Sequence, residues 1–224
     1  MTSSLIGLSL VRRHCIALGL LAGLAGFLPA EAAQPPARTP ATILVVGDSL
    51  SAEYGLKRGT GWVALMEQRL VQEKIAATVI NASISGDTTS GGRSRLPALL
   101  AKHKPTVVII ELGGNDALRG LPLTMTQDNL QAMTQAAQAT KAKVLLLGMQ
   151  MPPNYGQDYA DRFAALFATV AKTHKTGLVP FLLKDVADGP DALRLFQNDR
   201  IHPTEAAHPT ILNNVWPAVK KQLS

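Results

Sequence analysis

Five short apolar runs recur along the chain, at residues 43–46, 78–82, 107–112, 144–148 and 178–182, each rich in valine, isoleucine or leucine. Continuous apolar runs of this length, as opposed to alternating ones, suit strands covered on both faces. Between them the apolar spacing changes to the helical period. Trp62, Leu65, Met66, Arg69 and Leu70 open one such segment, Leu96, Leu99 and Leu100 mark a second, and residues 130–139 form a third. Phe163, Leu166, Phe167 and Val170 lie on one face of a fourth, and residues 206–223 predict a last helix. Strands alternating with helices argue for a parallel sheet covered on both sides. The expected fold is α/β, a three-layer α/β/α sandwich around a five-stranded parallel sheet.

Three of the runs end in unusual polar groups: Gly47-Asp48-Ser49, Ser85-Gly86-Asp87-Thr88 and Gly113-Gly114-Asn115-Asp116. Each follows its strand at the carboxyl end, and in a parallel sheet such loops converge on one edge. These residue types are also the usual turn formers, so one such loop carries little weight. Three in phase with the strands point to a site. Ser49 stands where a reactive hydroxyl is useful, although a serine here also suits a helix N-cap. A serine nucleophile needs a base to take its proton and donors to hold the oxyanion that follows attack.

Among the five histidines, His14 lies in the N-terminal segment, His103 and His174 sit beside lysines at helix ends, and His208 falls in the last helix. His202 differs. It closes the polar loop Asp199-Arg200-Ile201-His202-Pro203, where a spacing of three lets Asp199 meet the ring nitrogen that faces away from a substrate. The alternative is a capping aspartate beside an incidental histidine. For the oxyanion, Gly86 offers an unobstructed backbone N–H, Asn115 a side-chain amide, and Ser49 its own N–H. Asp48, Asp87 and Asp116 are expected to brace their loops. Leu118, Leu121, Pro122, Met149, Met151, Pro152 and Pro153 follow two of the strand ends, where they line an acyl groove or simply pack the loops.

With 224 residues, 46% hydrophobic and 17% charged, the composition requires no more than one domain, placed at residues 42–224. The N-terminus differs in kind: Arg12 and Arg13 precede an apolar run at 16–28, followed by Ala30-Glu31-Ala32. This predicts a cleaved signal peptide over residues 1–32, hence a periplasmic or secreted protein, because a bilayer span needs about 20 apolar residues. Residues 33–41 are a proline-rich, poorly ordered lead-in. The single cysteine, Cys15, leaves with the signal, so neither disulfides nor thiol chemistry is expected. The formal charge of +6 becomes +5 without Arg12, Arg13 and Glu31 and is scattered in lysine pairs. Nucleic acid is therefore a poor partner. There is no P-loop, no G-x-G-x-x-G, no G-x-S-x-G and no metal-ligand spacing, and the serine chemistry requires no cofactor.

Gly47-Asp48-Ser49-Leu50, Gly86 in its loop, Gly114-Asn115-Asp116 and Asp199-x-x-His202, in this order, resemble the four blocks of the SGNH, or GDSL, hydrolase family. Residues 81–88, 111–120 and 152–156 look more narrowly like its periplasmic thioesterase, lysophospholipase and arylesterase members. The resemblance runs from about Thr42 to the last helix. It implies a flavodoxin-like sheet, with Ser49 as nucleophile, Gly86 and Asn115 as oxyanion donors, and Asp199 with His202 completing a triad. It also implies small-molecule ester, fatty acyl thioester or lysophospholipid substrates, with a monomer as the expected state. A carbohydrate O-deacetylase and a non-catalytic fatty-acid-binding protein are the rival readings. Members commonly carry glycine where this chain has Glu53; a carboxylate there either repels anionic substrates at the mouth or points to water.

Overall fold

Ile43, Leu44, Val45 and Val46 have no exposed surface, and they form the body of strand β1 (Ala41–Gly47). A strand this apolar is stable only with cover on both faces. The computed structural model describes residues 40–151 and 153–224. The expected signal peptide and residues 33–39 of the lead-in lie outside them, as does Pro152. Ala41 pairs with Ala77 at the start of the sheet.

Beside β1 lie β2 (Ala77–Asn81) on one side and β3 (Val107–Glu111) on the other, followed by β4 (Lys143–Leu147) and β5 (Gly177–Val179). All pairings are parallel and the order is β2-β1-β3-β4-β5. Helices α1 (Trp62–Gln72) and α7 (His208–Leu223) pack together on one face. Helices α2 (Thr89–His103), α4 (Leu123–Ala139) and α5 (Gln157–His174) form a row on the other. Two short helices, α3 (Gly114–Leu118) and α6 (Ala192–Leu195), belong to the loops. This is the doubly wound arrangement in which connections leave β1 and β3 in opposite directions, opening a crevice at their carboxyl ends.

Three boundaries differ from the pattern in the sequence. Helix α4 begins at Leu123, seven residues before the apolar spacing becomes visible, because its first turns bury Thr126 and Asn129 toward a polar partner instead of an apolar one. Strand β5 stops at Val179, since Pro180 has no N–H to continue the ladder. The last helix begins at His208, after a 3-10 turn over Glu205–Ala207. No helix among the described residues is long and apolar enough to cross a membrane.

Candidate active site

In register, Gly47 at the end of β1 lies opposite Glu111 at the end of β3. A Cβ on residue 47 would stand 2.7 Å from Glu111 Oε2 and 2.8 Å from Ser51 Oγ, so only glycine lets the chain turn here. The turn is tight: Ser51 N–H and Ala52 N–H both donate to the Asp48 carbonyl, at 3.2 and 2.9 Å. Asp48 Oδ1 accepts from Leu50 N–H at 3.0 Å, an Asx-turn that holds Ser49 at its apex.

Ser49 Oγ is 2.9 Å from His202 Nε2, although 153 residues separate them in sequence. On the other side of the ring, Nδ1 is 2.7 Å from Asp199 Oδ2. Asp199 Oδ1 accepts from the N–H groups of Ile201 and His202, at 2.9 and 3.0 Å, which coils residues 199–202 around the carboxylate. Arg200 takes the left-handed conformation this coil requires, with φ 60°. Burial works against ionisation of Asp199, but the His202 N–H and ring and the Ile201 N–H outweigh it and bring its carboxyl down to about 2. Tyr54 packs against the His202 ring, the two centroids 4.3 Å apart and the planes tilted by 37°.

The second loop is a β-turn closed by Asp87 N–H on the Ile84 carbonyl (3.1 Å), with Gly86 at φ 78°, a conformation that side chains disfavour. Neither the Gly86 N–H nor the Ser49 N–H has a partner among the described residues. The Gly86 carbonyl accepts from Arg119 Nη2 at 2.8 Å. Asn115, on the first turn of α3, donates one amide hydrogen to Asp48 Oδ2 at 3.0 Å and keeps the other. Asp87 pairs with Arg95 at 2.8 Å, and the guanidinium also reaches the Gly47 carbonyl at 3.3 Å. Asp116, fully buried, accepts from Thr89 N–H (2.9 Å) and the Thr89 hydroxyl (2.5 Å) and so anchors the start of α2. All three aspartates brace their loops.

Ser49, Asn115, Asp199 and His202 share one cleft of about 470 Å³. Leu118, Met149 and Met151 line it, together with Tyr155, Phe181 and Leu183, which the sequence pattern did not single out. Leu121 does not line it; its N–H donates to the Asp116 carbonyl and closes the turn after α3. Glu53 is half-buried and engaged by its own loop. Its carboxylate accepts from Gly59 N–H (2.9 Å) and Gly61 N–H (2.8 Å), at the cost of φ 60°, which accounts for a glycine preference at this position.

Residues 45–209 match the model of the GDSL-like lipase/acylhydrolase family. The chain belongs to the GDSL family. Among similar members of this family, the esterase TesA of Pseudomonas aeruginosa is 53% identical over 182 residues, covering 81% of this chain and 89% of that protein. The thioesterase 1/protease 1/lysophospholipase L1 of Escherichia coli K12 is 41% identical over 81% of this chain and 83% of its own. The crystal structure of the psychrotrophic esterase EstA from Pseudoalteromonas, inhibited by monoethylphosphonate, is 42% identical with a TM-score of 0.76, covering 82% and 98% of the two chains. The GDSL assignment makes this chain a hydrolase and agrees with the parallel sheet described above.

Glu111 entered the sequence reading only as the first residue of the 111–120 stretch, with no role of its own. Its only signal is an acid at the end of an apolar strand, which reads equally as the strand's edge. Burial pushes its carboxyl well above the usual range and the neighbouring Asp48 charge adds to this. Burial likewise pushes Asp48 up to about 6, against hydrogen bonds from Leu50, Glu111 and Asn115 and the attraction of His202.

Proposed function

We propose that this chain is a secreted serine esterase that hydrolyses carboxylic esters, fatty acyl thioesters and lysophospholipids through an acyl-Ser49 intermediate. The observation that carries the reading is the continuous hydrogen-bonded line from Asp199 through His202 to Ser49 at the floor of an apolar cleft. His202 Nε2 takes the Ser49 proton as Oγ bonds to the acyl carbon, and Asp199 holds the tautomer that leaves Nε2 free and stabilises the imidazolium. The two free N–H groups of Ser49 and Gly86 and the second amide hydrogen of Asn115 receive the oxyanion. His202 then gives its proton to the departing alcohol or thiol. In the second half, water loses a proton to His202 and attacks the acyl carbon, and the proton returns to Ser49 as the acid leaves.

Leu118, Met151, Phe181 and Leu183 supply an apolar wall suited to an acyl chain, and methionine adapts to chains of different length. The thioesterase, lysophospholipase and esterase names of the relatives support this substrate class, and the phosphonate-inhibited relative supports a serine nucleophile. The working unit is a monomer released to the periplasm or beyond. The test is the initial rate of the processed chain on matched oxygen esters and thioesters from acetyl to palmitoyl, beside Ser49→Ala. An active wild type with a silent variant is expected; activity that survives in Ser49→Ala overturns the reading.

A further inference from the structure

The carboxyl at the end of β3 takes no part in the proton relay, yet the contacts beneath the site run through it. Glu111 has no exposed surface. Its Oε2 accepts from the Asp48 N–H at 3.2 Å and the Ser51 hydroxyl at 2.8 Å, whereas Oε1, also buried, receives no donor. A buried carboxylate oxygen without a donor is costly, and a proton on it removes both the charge and the vacancy. Oε2, with two donors, is then the carbonyl-like oxygen and Oε1 the hydroxyl. The neighbouring Asp48 carboxylate, whose own N–H already meets Oε2, is the acceptor such a proton calls for. Asp48 in turn holds the Leu50 N–H through Oδ1 and the Asn115 amide through Oδ2.

We propose that Glu111 is a positioning residue: as a neutral acid it accepts from the Ser49 loop through Oε2 and donates to Asp48 through Oε1, so that Asp48 fixes the Asn115 amide and the Ser49 N–H for the oxyanion. The upward displacement of Glu111 by burial and by the Asp48 charge agrees with this protonation. Among the described residues, His202 attracts Asp48, and the nearby Arg95, which reaches the Gly47 carbonyl, is engaged by Asp87. The proposal rests on the reading of Ser49 and Asn115 given above.

Glutamine offers one acceptor and one donor at the same two places, and leucine has similar bulk with neither. Glu111→Gln is therefore expected to keep kcat on a short-chain ester within about threefold of wild type. Glu111→Leu is expected to lower kcat at least about tenfold with KM within about twofold, since a small misplacement of oxyanion donors acts on the transition state. At neutral pH the infrared spectrum of the wild type should contain a carboxylic-acid C=O band that Glu111→Gln lacks, a readout independent of whether the leucine variant folds. A glutamine variant as impaired as the leucine one, a leucine variant with wild-type kcat, or no such band overturns the proposal. Labelling of Ser49 by a fluorophosphonate separates the two readings: an unlabelled, inactive wild type defeats the serine mechanism, whereas a labelled, active one with any of those results defeats only the role of Glu111.

Discussion

Ser49 and His202 are ordinary residues placed in unusual company. The hydroxyl is held at the apex of an Asx-turn, and the ring is fixed from three sides by Ser49, Asp199 and Tyr54. Asn115 depends on a single contact, its bond to Asp48, to aim its second amide hydrogen. Asn115→Ala should lower kcat by about 10²–10³-fold with little change in KM, the effect of removing one oxyanion donor. Steady-state rates on a short-chain ester check this, and a change confined to KM would assign Asn115 to substrate binding instead. At this scale Ser49 and Asn115 were legible as polar residues just beyond strand ends, and Asp199 and His202 as a pair three positions apart in a polar loop. Glu111, Tyr54 and the role of Glu53 were not, since their partners lie in other parts of the chain or depend on a backbone angle that composition does not reveal.

Elements meet the site through buried polar joints. Asp116 on α3 caps the start of α2, and Asn129 from α4 donates to the same Thr89 hydroxyl at 3.1 Å, so three helices share one polar knot. This knot is why α4 reaches back to Leu123 without an apolar stripe to announce it. Asp116→Ala leaves the buried Thr89 N–H and hydroxyl without their acceptor and should cost about 1–3 kcal/mol. The loss would appear as a lower urea midpoint at unchanged slope; an unchanged midpoint would mean the knot contributes nothing net. The alternation of strands and helices was legible throughout, whereas the length of α4 and the early end of β5 were not. In the one case polar burial replaced the apolar period, and in the other proline ended a run whose apolar character continued into buried Leu182 and Leu183.

Across the whole molecule, α7 is joined to α1 by His208, whose Nδ1 accepts the Trp62 N–H at 3.0 Å. Burial lowers the His208 pKa to about 4, outweighing the attraction of Glu53 and Glu205, so the folded ring is neutral. The unfolded ring takes a proton at its ordinary value of 6.5. The folded value being the lower, the stability from this residue is complete above pH 6.5 and is lost progressively as the pH falls toward 4. The full span corresponds to about 3 kcal/mol. Asp48, raised to about 6, acts with the opposite sign over part of that range, so the comparison needed is between wild type and His208→Gln. Urea unfolding from neutral to acidic pH should show a steeper acid loss in the wild type; parallel curves would remove His208 from the linkage.

The sequence by itself determined the elements and the chemistry they present. Apolar runs define strands, helical spacing defines the covering layers, and Asp-x-x-His is a local geometry that needs only four residues to form. Tertiary structure alone decided which of these groups meet. The 2.9 Å contact between Ser49 and His202 spans almost the whole domain, and the pairing of Gly47 with Glu111 exists only because β3 lies beside β1. Parallel strands are joined by crossovers, so neighbours in the sheet are distant in the chain and no local pattern records their register. For that reason the buried acid beneath the Ser49 loop became visible only once the strands were side by side.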